Sequence, residues 1–131
     1  MSKTRKLNKA RHSIYLKKAA EFERAVADAA ARKDWNAVGL NAVHAVISSA
    51  DALTTFYLGE RSAGDSHVDV VALLRQLPIE DANERSRQAF NVVNEKNVIE
   101  YEDVDFSSET AARVEKQARR FHEWARAKLR S

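Results

Sequence analysis

Asn41, His44, Ser48, Asp51 and Thr55 follow one another at intervals of three and four residues. On an α-helix that spacing sets all five on one face. His44 can exchange a proton near neutral pH, and a carboxylate such as Asp51 on the same face is the kind of group that orients an imidazole for acid–base work. A polar face on an otherwise apolar helix has to meet solvent, a partner or an internal hydrogen-bond network, because buried polar groups left unsatisfied are costly. A solvated strip or a satisfied network therefore also accounts for the five residues, beside a cleft wall or a subunit interface.

Two more groups carry chemistry-bearing residue types. Arg61 and His67, with five residues between them, fall in the stretch before the short third helix, where Gly59 and Gly64 flank Arg61, a pair suited to phosphate binding or to proton transfer. A surface Arg and a His beside a helix N-terminus are also common without a ligand. Lys96 and Tyr101 bracket Glu100, with Glu102 and Asp103 following, so a cation, a phenol and clustered acids fall within one short segment. The plain alternative is a connector that turns Val98 and Ile99 inward and keeps its acids wet. The catalytic candidates are thus His44, Asp51, His67 and Tyr101, and the candidates for ligand or phosphate binding are Arg61, His67 and Lys96.

Other chemistries lack their residues. The chain has no Cys, which removes thiol catalysis, thiolate zinc sites and disulfides. There is no Gly-rich phosphate loop, no Gly-x-Ser-x-Gly elbow and no His-Glu-x-x-His. Glu-x-x-His, the ligand pair of di-iron bundles, is missing as well. No metal and no cofactor is expected.

The elements that must hold these residues are helical. Three Gly and one Pro among 131 residues leave little of the turn chemistry an all-β chain needs, and the length fits one core. Tyr15, Ala19, Phe22, Val26 and Ala29 predict a helix from about His12 to Arg32. Apolar residues on more than one face predict a central helix over 35–58. Ser66 and Asp69 resemble a capping box opening a short helix that Pro78 ends. A fourth helix is expected over about 80–95 with Ala82, Ala89, Phe90 and Val93 inward, then an acidic connector over 97–105. Phe106 and Ser107 read as staple and N-cap of a last helix carrying Ala111, Val114, Ala118, Phe121 and Ala125. The expectation is an all-α, antiparallel up-and-down bundle of about five helices, four long and one short, over residues 12–131, preceded by a basic lead-in over 1–11. With no apolar run of membrane-spanning length and no apolar leader, a cytoplasmic protein without membrane contact is expected.

Charge is unevenly spread. Residues 1–20 sum to +7, residues 21–112 to −9 and residues 113–131 to +5. Basic ends suit an anionic partner such as RNA, although basic termini also occur simply as solvated ends, and no Trp or Tyr alternates with these charges along the sequence.

The order of segments Tyr15–Ala25, Trp35–Val38, Ala45–Leu53, His67–Leu74 and Lys96–Tyr101 resembles the HEPN family, the higher-eukaryote and prokaryote nucleotide-binding helical bundles. The resemblance spans nearly the whole chain. It implies the bundle fold and a homodimer. Active members are metal-independent ribonucleases, often toxins paired with a nucleotidyltransferase, that use Arg followed after four to six residues by His. Lys96 and Tyr101 stand where those two residues would be, so the motif's acid–base group is absent. The expectation is a non-catalytic HEPN-like binding module for a protein partner or a nucleotide or RNA ligand, in a toxin–antitoxin-like or stress-response setting. The alternatives are a ribonuclease with relocated acid–base residues and a purely structural interaction bundle.

Overall fold

The computed structural model describes residues 4–63 and 67–130, His67 and Val68 as backbone only. Six α-helices occur among them: α1 (His12–Ala31), α2 (Trp35–Leu58), α3 (His67–Leu74), α4 (Ala82–Val93), α5 (Glu95–Tyr101) and α6 (Ser108–Leu129). A two-stranded antiparallel sheet joins β1 (Thr4–Lys6) to β2 (Glu60–Ser62). None of the helices is long and apolar enough to cross a membrane.

α2 is the axis of the molecule. Val38, Ala42, Val43, Val46, Ala50 and Leu53 are all buried on it, which is why its apolar residues occupy several faces. α1 lies antiparallel to α2: the His12 ring meets Phe56 edge-on, and Phe22 stacks on His44 further along. α6 runs parallel to α2, since Asn36 at the start of α2 bonds Asp105 and Phe106 just before α6, while Tyr57 at its end bonds Lys128 at the end of α6. α4 opposes α6, as Trp124 to Asp81 and Arg113 to Glu95 require. The four longest helices thus alternate in direction along the chain, and the all-α bundle expected from the periodicity is present. The diagonal pair α2 and α6 makes direct contact through the core.

The helix ends follow local chemistry. Ser107 caps α6 by accepting from the Thr110 N–H at 3.0 Å, with Phe106 buried before it, as the staple-and-cap pattern predicts. α2 stops at Gly59, whose φ of 68° is the left-handed conformation glycine adopts freely. α1 stops the same way without a glycine: Lys33 has φ 62°, and the Lys33 and Asp34 N–H groups close onto the Ala30 and Ala29 carbonyls.

Three features differ from the sequence expectation. The lead-in over 1–11 holds a strand, with Thr4, Arg5 and Lys6 opposite Ser62, Arg61 and Glu60, followed by a single 3-10 turn over Lys9–Arg11. The acidic connector begins as helix α5, because Ile99 is drawn onto α2 at Gly39. A Cβ on Gly39 would stand 2.7 Å from Ile99 Cδ1 and overlap the Phe106 ring. Phe90, expected inward, stays 37% exposed on the outer side of α4. Ser66, half of the expected capping box, lies outside the described residues.

Candidate functional site

The two basic ends of the sequence meet at one end of the bundle. The Leu7 N–H donates to the Gly59 carbonyl at 2.8 Å, and the Tyr57 hydroxyl donates to the Lys128 carbonyl at 2.7 Å, so both termini are tied to the last turn of α2. The acidic segment after α5 sits at the other end, where Asn36 donates to Asp105 at 3.1 Å. The basic lead-in and the last turn of α6 thus lie at the Gly59 end of α2 and the acidic segment 102–105 at its Trp35 end, while Arg113, paired with Glu95, opens α6 at the acidic end.

At the cationic end, Arg5, Lys6, Leu7, Asn8, Arg11, Ile14 and Tyr15 line a groove of about 480 Å³. The Arg61 guanidinium lies 5.7 Å from the Tyr15 ring centroid and the Lys18 ammonium 5.5 Å from it. Arg5 faces Arg61 directly across the two strands. Like charges in that register repel one another, by a few tenths of a kcal/mol up to about 1 kcal/mol, unless an anion lies between them. The arrangement therefore holds cations together around one aromatic ring.

The polar stripe of α2 divides into two clusters. His44 stacks on Phe22 with ring centroids 5.1 Å apart and 26° between planes. Burial, and after it the neighbouring Lys96, hold its imidazole below the usual value, with Glu100 opposing. Lys96 and Glu100 form an ion pair at 3.4 Å on α5. Two turns along α2, Asp51 is 7% exposed, and burial pushes its carboxyl up to about 7 against the pull of Arg61 and Lys18. Seven residues of helix separate the two by roughly 10 Å, so Asp51 does not orient His44. Ser48 and Thr55 are buried, and Asn41 donates back to the Ala37 carbonyl at 2.9 Å. Ser48, Asp51 and Thr55 thus form an internal seam, while Asn41 and His44 are half-buried, His44 between Phe22 of α1 and Lys96 of α5.

The remaining sequence candidates are scattered. Arg61 belongs to β2 and turns to Tyr15; the His67 side chain lies outside the described residues. Tyr101 points outward, 76% exposed. Among the described residues no group of three or more His, Asp or Glu is placed to hold a metal ion.

Sequence reasoning missed Arg5, Lys6, Arg11, Tyr15 and Lys18 as one group. The three-residue spacing of Tyr15 and Lys18 on α1 was visible, but the pairing of β1 with β2 has no local signal. It also missed a polar seam facing α6, where burial and then Glu115 push Glu23 up to about 7, against Arg119. His122 lies on α6, held below the usual value by burial and then Arg126.

No family model, curated protein or solved structure matches this chain.

Proposed function

We propose that this chain is a non-catalytic binding bundle of HEPN-like design that takes up single-stranded RNA at its cationic end. The gathering of Arg5, Lys6 and Arg11 in one groove, held to the last turn of α2 through Leu7, carries the reading, because phosphate binding is driven by Lys and Arg gathered on one surface. Tyr15 adds what the linear sequence lacks, an aromatic ring among those cations on which a base can stack. Arg5 opposite Arg61 has its repulsion relieved by a phosphate. The separation of His44 from Asp51 and the outward Tyr101 favour binding over cleavage.

Titration of a labelled single-stranded RNA oligonucleotide at several salt concentrations tests the reading. Binding should weaken steeply with salt, by about 0.7 log unit per log unit of salt for each phosphate contact. The Arg5→Glu, Arg11→Glu double variant should lose at least about tenfold in affinity at low salt and show a shallower slope. Tyr15→Ala should weaken binding with little change in slope. Equal binding by the wild type and the double variant would sink the proposal. RNA cut by the wild type but left intact by His44→Ala would replace it with the ribonuclease reading.

A further inference from the structure

At the end of the bundle remote from the cationic groove, Tyr101 and Val104 are 76% and 60% exposed, the two most exposed large apolar residues among those described. Glu102, Asp103 and Asp105 stand beside them, and with Asn36 and Ile99 they line a groove of about 340 Å³. Large apolar side chains left in water next to one sign of charge mark a surface that meets a complementary one.

The complementary surface is present on the same molecule. The cationic groove combines Arg5, Lys6 and Arg11 with Ile14, itself 41% exposed. The two ends are separated by the length of α2, whose 24 residues span roughly 36 Å, too far for either to reach the other within one chain.

We infer that the acidic, apolar end formed by Tyr101, Glu102, Asp103 and Val104 docks on the cationic groove of a second copy of this chain, head to tail. Val104 and Tyr101 meet Ile14 and the apolar stems of the groove's cations, and Glu102 and Asp103 meet Arg5 and Arg11. The contact is heterologous, so it leaves a free acidic end and a free cationic end and extends into short open chains, not a closed dimer. Its small area makes it weak, and charge sets its register and its salt sensitivity.

Sedimentation velocity on the full chain tests this. At about 50 mM salt the weight-average sedimentation coefficient should rise with protein concentration, and the rise should vanish near 500 mM, where the screening length falls to roughly 4 Å. Tyr101→Ser with Val104→Ser should abolish the rise. Glu102→Lys with Asp103→Lys leaves two cationic ends, and Arg5→Glu with Arg11→Glu leaves two acidic ends, so each double variant should remain monomeric alone. Mixed in equal amounts they should associate again, because each then supplies the end the other lost. Circular dichroism of each variant establishes that it is folded. A wild type that stays monomeric at low salt, a Glu102→Lys, Asp103→Lys variant that associates as the wild type does, or a mixture that fails to associate would overturn the inference. These measurements use no RNA, so their failure leaves the RNA-binding proposal standing, and the reverse holds for the titration above.

Discussion

The Tyr57 hydroxyl donates to the Lys128 carbonyl at 2.7 Å, closing the C-terminal end of α6 onto the C-terminal end of α2 across 71 residues of sequence. The Lys128 carbonyl lies in the last turn of α6, where main-chain acceptors have no partner within the helix. One phenol therefore satisfies an orphan carbonyl and fixes the basic C-terminus beside the basic N-terminus.

Tyr57→Phe keeps the ring against Phe56, 5.0 Å away in an edge-on contact, and removes only the bond. A loss of about 1 kcal/mol in denaturant unfolding is expected, the usual net value of such a bond. Hydrogen exchange should quicken at the last-turn amides of α6 and not in α2. Unchanged stability and unchanged exchange would mean the tether does not hold α6.

Lys33 occupies the left-handed position that ends α1, at φ 62°. A Cβ there costs roughly 1 kcal/mol or more, while replacement by glycine frees the unfolded chain and returns part of that gain. Lys33→Gly should stabilise the protein by about 0.5 kcal/mol, and Lys33→Val should destabilise it. A thermal melt that ranks the two the other way would refute the assignment of strain.

Gly39 tests whether α5 is held by α2. An alanine at 39 improves helix propensity by about 1 kcal/mol, but its Cβ would collide with the Phe106 ring and Ile99. Overpacking of that kind costs typically 1–3 kcal/mol, so Gly39→Ala should destabilise on balance. Double substitution with Ile99→Ala should recover part of the loss. If Gly39→Ala alone raises stability, α5 does not pack as described.

How much of this was legible beforehand depends on range. The α1 stripe from Tyr15 to Ala29, the multi-faced α2 and the Ser107 cap rest on spacings within a few residues, and each appears where the periodicity put it. The pairing of Thr4–Lys6 with Glu60–Ser62 and the tether of Lys128 to Tyr57 join residues more than fifty positions apart, and no local pattern encodes them. The polar stripe was legible as a face, with an internal network among its readings, but the groups that divide it were not. Phe22, Lys96 and Arg61, which divide it, come from three other elements.

Asp51 makes the internal seam measurable through pH. Its carboxyl sits at about 7 in the folded chain against 3.8 as its ordinary value, because burial penalises the charged form. The folded state therefore holds a proton that the unfolded state releases between about pH 4 and 7, and stability falls across that window as pH rises. His44 and His122, both held below 6.5, act oppositely: their contribution is present at higher pH and is lost as pH falls below 6.5. Asp51→Asn separates the two, since the amide keeps the shape of the carboxylic acid without its titration. The variant should match the wild type near pH 4 and exceed it by on the order of 2 kcal/mol at pH 8, less than the full shift implies because Arg61 and water relax around the ionised form. A wild type and variant with parallel pH profiles from 4 to 8 would show that Asp51 titrates as an ordinary carboxylate and that Arg61 neutralises it.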